Sequence, residues 1–486
     1  MTSNNSQKIL LHNQTNTFTE AIAKVYVFCL AFKMIAPMRF LESIVGSVAL
    51  SFDVIPHAIG ILLVLIDNNG FITFADEEGK TISFFFKMVF WFTLSSILMA
   101  IVIQNSYGNM GGESAYTGIM GMIIYWFQYA FILLYNYHVF KILNIRLIEK
   151  TLNAIVLFLM IIGYMQMAVM LLGNQIGYLY DKLDIFDILN DSNDLSKLPL
   201  TGPEGAYAGY IIGTLILPYI YARNLGSKTR KHTFLYILLW LPIIYMTFSS
   251  GAYILFFITT IGYIYYCVKT RGFSKNIAIL LVVALFGSVI FVLFRDEIIN
   301  ALPEDMGVTI KYLLFEKIQD NDNGSTVLRS IPFYYNWGAF KEYPIIGVGN
   351  GLQGYFLEKY LPHSLSVVKG VNASKLIKQW TTGIANGSIF WPSIMSGYGI
   401  VGIILFAIYI YKNERLVRTK TVELDFMYYM YRLGILGIIF TGFATEFVAK
   451  YYVWFTISIP LMTVSKQDNL ASVSNRDNNI NHKYFR

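Results

Sequence analysis

Charge is scarce in this sequence. Only 14% of its 486 residues are Asp, Glu, Lys or Arg, against roughly 25% in an ordinary soluble chain. So little charge excludes an ordinary soluble domain. Cysteine is nearly absent. Cys29 and Cys267 are the two present, and both fall inside apolar runs. They read as small buried hydrophobes, so neither a disulfide framework nor a metal site is expected. No Gly-rich loop runs into Lys-Ser/Thr, so no nucleotide phosphate site or other cofactor is expected. Alternating segments of about ten residues, the mark of a membrane β-barrel, are also missing. There is no internal repeat. The polar start MTSNNSQKILLHNQTNTFTE lacks a charged lead into an apolar core, so no cleaved signal peptide is expected. The formal net charge of +7 implies no nucleic acid, because in a membrane chain the placement of basic residues matters more than their sum.

What is present is apolar sequence in long runs. Hydrophobic residues make up 55% of the chain and the mean hydropathy is +0.52. The stretch 276–294, NIAILLVVALFGSVIFVLF, carries no charge and is long enough to cross hydrocarbon as a helix. The expected fold is an all-α polytopic membrane protein of about twelve transmembrane helices. The expected spans are near 19–37, 43–66, 83–104, 117–137, 151–172, 205–222, 233–248, 251–268, 276–294, 388–411, 426–443 and 447–464.

Basic residues set the expected orientation. Loops 138–150, 223–232, 269–275 and 412–424 are basic, and two spans separate each consecutive pair. They belong on one side, which the positive-inside rule makes cytoplasmic. Loop 67–82, with Asp76, Glu77 and Glu78, is acidic yet falls on that same side. The expected organisation has a cytoplasmic tail at 1–18 and transmembrane helices one to nine at 19–294. An acidic outer loop at 173–204 interrupts these. A large outer loop follows at 295–387, then helices ten to twelve at 388–464, then a polar, disordered tail at 465–486.

Within the large loop, 324–351 reads GSTVLRSIPFYYNWGAFKEYPIIGVGNG. Arg329 beside aromatics suits a planar anionic or sugar-phosphate ligand. Pro344 followed by Gly347, Gly349 and Gly351 predicts a tight turn with exposed backbone. Each residue also has a plainer reading. Arg329 can be a solvated cation paired with Asp320 or Asp322. Trp337, Tyr334 and Tyr335 can sit at a membrane interface, where such rings concentrate. Gly347 and Gly349 can shape the turn without touching a ligand. His363 can be merely solvated. In the spans, Asp53 and His57 share a helix face, as do Glu446 and Lys450, and Arg432 falls inside the eleventh span. Such residues face cavities or lock helices together as ion pairs.

The series Arg329, Trp337 and Pro344-Ile345-Ile346-Gly347-Val348-Gly349, followed by Ala385-Asn386-Gly387 and then Gly399-Ile400-Val401-Gly402, resembles the O-antigen polymerase and ligase superfamily. In that family a large periplasmic loop carries an arginine, a tryptophan and a Pro-apolar-apolar-Gly-x-Gly turn. A later His-Asn precedes a Gly-apolar-apolar-Gly span. Here Ala385 stands at the histidine position, and Gly251 stands where an arginine follows the serine. The ligase branch leans on that histidine, so the resemblance points to the polymerase branch.

The resemblance implies a multi-span, GT-C-like membrane glycosyltransferase of the bacterial inner membrane, with its site toward the periplasm. Its substrate would be an undecaprenyl-pyrophosphate-linked oligosaccharide, and its surroundings the lipid bilayer. Families of this kind commonly work with a polysaccharide chain-length regulator. The implied catalytic set is Arg329 on the pyrophosphate, with Glu446 or His363 as proton acceptor. The implied substrate-binding set is Arg295, Trp337, Tyr334, Gly347, Gly349 and Asn386, with Lys341 and Lys378 as weaker cations. A sister ligase and a lipid-linked oligosaccharide flippase are the alternatives. Comparable halves and short loops, usual in twelve-span transporters, are absent from the sequence.

Overall fold

The computed structural model describes residues 17–31, 53–67, 72, 74, 76–109, 114–172, 198, 200, 205–226, 233–247, 249–271, 324–360, 389–420, 425–445, 447 and 450–462. Among these residues every regular element is helical. The expected span 276–294 lies outside them. Helix α1 covers 17–29. It is followed by α2 (Val54–Asp67), α3 (Glu77–Tyr107), α4 (Ala115–Ile142) and α5 (Ile145–Leu172). Next come α6 (Gly205–Ile211), a π turn (Ile212–Ile216), α7 (Leu217–Gly226), α8 (Thr233–Met246) and α9 (Ser250–Arg271). After these are α10 (Gly324–Glu342), the short α11 (Leu357–Tyr360), α12 (Phe390–Lys420), α13 (Asp425–Gly442) and α14 (Tyr451–Ser458). Among the described residues, four stretches are by length and composition apolar enough to cross a membrane: Glu77–Tyr107, Ala115–Ile142, Ser250–Thr270 and Phe390–Arg418, the last interrupted at Gly399. The largest fully buried side chains are aromatic, among them Trp240 and Trp454.

One end of the bundle gathers charge. Asp76 caps α3, its carboxylate accepting from Gly79 N–H at 2.7 Å, and pairs with Lys141 at the end of α4 at 3.0 Å. Glu149 pairs with Arg223 at 3.6 Å. Lys412 lies 5.4 Å from the Phe84 ring. Contacts therefore bring residues of the acidic loop 67–82 and of three basic loops, 138–150, 223–232 and 412–424, to one end. The sign conflict noted in the sequence resolves locally, because Asp76 is the counter-ion of Lys141.

Burial alone would raise the Asp76 pKa. The hydrogen bonds from Tyr137, Lys141 and Gly79 outweigh it and hold the carboxyl below its ordinary value. A depressed carboxylate stabilises above its unfolded pKa of about 4 and loses that contribution as pH falls through the lower folded value. Asp76→Asn keeps the cap and removes the charge. Its melting temperature should be lower than wild type at pH 7 and should converge on wild type near pH 3. Parallel melting curves at both pH values would refute the pairing.

Two irregular helices follow from their sequences. Pro218 has no N–H to give the carbonyl four residues back, Thr214. Leu217 N–H instead bonds Ile212 O in the wider π pattern. The freed carbonyls are taken by hydroxyls from other helices: Thr456 to Thr214 O at 3.2 Å and Thr259 to Gly213 O at 3.4 Å.

The second is α12. Gly399 has φ 61° and ψ −156°, outside helical space. In a straight helix Phe390 and Phe406 would stand about 24 Å apart along the axis. Their rings are 5.7 Å apart, and Trp391 is 5.5 Å from Phe406. The chain therefore folds back at Gly399. A short arm, 390–398, lies antiparallel to the long arm, 400–420. The expected single span at 388–411 is corrected to this hairpin. Its apolar composition hides the break, because periodicity does not register a glycine that reverses the chain.

Candidate functional site

The hairpin's tip is where the sequence motif meets the bundle. Breaking a helix frees backbone groups that lipid cannot satisfy, so such a break must be buried in protein. Here the turn 344–349 supplies the partners. Val348 N–H donates to Ser396 O and Gly349 N–H to Gly397 O, both at 2.9 Å. Across the break, Ile400 N–H donates to Pro344 O at 2.8 Å and Val401 N–H to Ile345 O at 3.1 Å. Two segments separated by about fifty residues, PIIGVG and GIVG, thus clamp each other main chain to main chain.

Glycine is required for this approach. Gly347 and Gly349 have φ of +72° and +84°. A Cβ at Gly347 would collide with the backbone of Gly397 and Tyr398, and one at Gly349 would sit 3.2 Å from Ser96 Cα. Both residues are buried, and their N–H groups are committed to Tyr343 O and Gly397 O. This geometry supports the turn-shaping reading of Gly347 and Gly349. At Gly347 the backbone of α12 occupies the space a missing side chain leaves, and at Gly349 Leu352 and Ser96 do.

Buried polar side chains tie the clamp to α10. Asn336, fully buried, donates to Pro332 O at 2.7 Å and accepts from the Ser396 hydroxyl. Gln353 bonds Asn350 Oδ1 at 2.8 Å and accepts from Gly351 N–H at 2.8 Å. Ser95 on α3 donates to Ile346 O at 3.2 Å, and Tyr398 stacks on Phe92 with centroids 3.8 Å apart. Sequence reasoning missed this set. Its one signal is Asn, Gln and Ser recurring where the neighbours are apolar.

The implied site residues divide into three groups. Arg329 lies in the first half of α10, where the structure describes the backbone, one turn before Phe333. Trp337 and Tyr334 are exposed on α10. Trp337 stacks on Phe340 at 5.7 Å, with Lys341 Nζ 5.6 Å from its ring. That patch matches the interfacial reading as closely as a sugar platform. Arg295, His363, Asn386 and Glu446 lie outside the described residues, as does Lys378. Glu342 at the end of α10 is engaged elsewhere, accepting from Lys359 and from the Tyr360 hydroxyl, both at 2.6 Å.

A second polar cluster lies inside the bundle. Asp53 and His57 are buried. The His57 ring packs against Tyr26, Tyr135 and Tyr451 at 5.3–6.1 Å, and its Nδ1 is 3.5 Å from the Tyr451 hydroxyl. Tyr26 donates to Asn136 Oδ1 at 2.7 Å. Lys450, also buried, donates to Thr445 at 3.0 Å and lies 5.2 Å from the Tyr207 ring. Arg432 is an ion-pair residue, its guanidinium bound to Glu414. No group of three or more His, Cys, Asp or Glu suited to a metal occurs among the described residues.

Beside the hairpin a groove of about 1310 Å³ runs between α9, α12 and α13. Phe333, Trp391 and Phe443 line it at the clamp end, and Glu414, Arg418 and Arg432 at the charged end. Its walls between these ends are aliphatic and aromatic. No known protein-family model matches this chain, and no curated protein matches it.

Proposed function

We propose that the protein polymerises lipid-linked oligosaccharide repeat units into a surface polysaccharide, acting as a membrane glycosyltransferase of the polymerase type. The observation that carries this reading is the clamp. The two sequence segments on which the resemblance rests, 344–349 and 399–402, bond to each other, and the same unit anchors α10, the helix of Arg329. These two segments of the motif thus form one spatial object.

In the proposed reaction the acceptor sugar's hydroxyl attacks the donor's anomeric carbon. The bond from that carbon to the diphosphate oxygen breaks, and the carrier leaves as its pyrophosphate. Arg329 holds the departing pyrophosphate, where a guanidinium fork matches phosphate oxygens and offsets the developing charge. Glu446 or His363 takes the hydroxyl proton. Arg295, Asn386 and the exposed rings of Tyr334 and Trp337 contact the sugars and the carrier head. The protein works in the bacterial inner membrane with this end toward the periplasm, alongside a chain-length regulator.

A flippase for lipid-linked oligosaccharide is the second reading. One observation favours it: Asp53, His57 and Lys450 are ionisable and buried in the bundle, as in proton-coupled carriers.

One experiment separates these readings. Surface glycan from cells lacking the chain is run beside cells restored with wild type or Arg329→Ala at equal membrane levels. The expected result is single repeat units without the chain, a full ladder with wild type, and at least a hundredfold loss of ladder with Arg329→Ala. A normal ladder from Arg329→Ala sinks the arginine's role. Full-length glycan stranded on carrier lipid identifies a ligase. No repeat unit at the outer face identifies a flippase.

A further inference from the structure

We propose that the charged end of the groove between α9, α12 and α13 binds an anionic glycerophospholipid of the bilayer, its phosphate seated on Arg432 and Arg418. This inference is independent of the polymerase reading. It starts from Arg432. The guanidinium lies on an apolar helix, 23% exposed at its side chain, with its Cζ 5.3 Å from the Tyr428 ring centroid. One of its terminal nitrogens donates to Glu414 Oε1. Its Nε is buried and has no acceptor among the described residues. The same Glu414 oxygen also accepts from Arg418 Nε at 2.9 Å. Two guanidinium groups therefore converge on one carboxylate oxygen, at the foot of a groove that also contains Tyr265, Tyr266 and Tyr411.

A phosphodiester suits that foot. It offers two unesterified oxygens, and a guanidinium fork binds two such oxygens side by side. The groove above says what the phosphate is attached to. Its walls are Ile258, Ile261, Ile403, Ala407 and Ile439. Ile261 and Tyr411 at its lip are 65% and 68% exposed, so the groove opens sideways between the helices. From Ile400 to Glu414 the long arm of α12 climbs about 21 Å. One leaflet's hydrocarbon is about 15 Å deep. The groove therefore takes acyl chains along their full length. Lys269, with Nζ 5.9 Å from the Tyr265 ring, adds positive charge at the same rim. Basic pockets between membrane helices bind anionic head groups in this way.

The test uses the full chain purified in mild detergent and incubated with phosphatidylglycerol or phosphatidylcholine of identical acyl chains. Bound lipid is counted by native mass spectrometry. One phosphatidylglycerol should remain per chain, with phosphatidylcholine at least tenfold weaker. Arg432→Gln should lower phosphatidylglycerol retention at least tenfold. The double variant Arg432→Gln/Glu414→Gln, which removes the charge pair without leaving a buried carboxylate, should lose it equally. Arg418 is 72% exposed at its side chain, so Arg418→Gln leaves the core packing alone. It should lower retention severalfold, and it serves if the Arg432 variants do not fold. Equal retention of the two lipids, or unchanged retention in the Arg418 and Arg432 variants, overturns the site. Displacement of phosphatidylglycerol by millimolar inorganic phosphate would make it a free-anion site. Displacement by a polyprenyl phosphate at equal concentration would assign the groove to a carrier lipid. Either also overturns the inference.

Discussion

Alanine at Gly399 should destabilise the protein by about 2–4 kcal/mol more than alanine at Gly108. The two glycines have nearly the same conformation, φ 61° and ψ −156° against φ 69° and ψ −154°. In that region any side chain is strained, by about 1–3 kcal/mol, and this part of the penalty is common to both. Their surroundings differ. An added Cβ at Gly108 meets nothing within 4 Å. At Gly399 it collides with the carbonyls of Pro344 and Ile345. Those carbonyls accept from Ile400 and Val401, so relieving the collision opens the two hydrogen bonds that bridge the break. Each leaves unpaired polar groups worth about 1–3 kcal/mol. Thermal melting of the two variants in detergent, followed by size-exclusion, reads the difference directly. Equal melting temperatures would mean that the turn does not press on the hairpin tip, and the clamp would fall.

Leucine at Asn336 should cost about 2–4 kcal/mol, a large value for one side-chain amide. Asn336 is fully buried and bridges two elements. Its NH₂ satisfies Pro332 O within α10, and its carbonyl oxygen takes the Ser396 hydroxyl from the hairpin. Leucine fills a similar volume, so the loss isolates the hydrogen bonds rather than a cavity. Ser396→Ala should cost less, about 1–2 kcal/mol, because the Ser393 carbonyl it also faces is a distant partner at 3.4 Å. Since the two residues share one bond, the double variant should fall short of the sum by about 1 kcal/mol. Additive losses in a double-mutant cycle would show that the bond does not join α10 to α12. Under the proposed function, Asn336→Leu should also shorten the glycan ladder, through loosening of the helix that bears Arg329.

Several elements were plain from sequence. The expected segments 83–104 and 117–137 fall inside α3 and α4, because uninterrupted apolar runs have one low-energy form in hydrocarbon. Part of the grouping of loops is seen directly, since Asp76 meets Lys141 and Glu149 meets Arg223. The motif was visible too, as PIIGVG and GIVG. Its geometry was not. Nothing in either hexapeptide or tetrapeptide states that one will fill the backbone break of the other. Asn336 and Ser396 were passed over for the same reason, since a polar residue shows its worth only through the partner it meets. Arg432 shows the converse. Its charge within a span was conspicuous, while its partner Glu414 looked like part of a basic loop.

The sequence by itself determined the class of this protein and which loops keep company. Too little charge to face water, and runs long enough to cross hydrocarbon, leave helices as the economical answer, because a helix satisfies its own backbone. Tertiary structure alone decided what happens where that self-sufficiency fails. At Pro218 and at Gly399 the helix gives up hydrogen bonds, and a neighbour must take them: Thr456 and Thr259 in one case, the glycine turn in the other. Local sequence announces the vacancy through a proline or a glycine. It does not name the distant residue that fills it, because that choice depends on which surfaces the packed bundle brings within three ångströms.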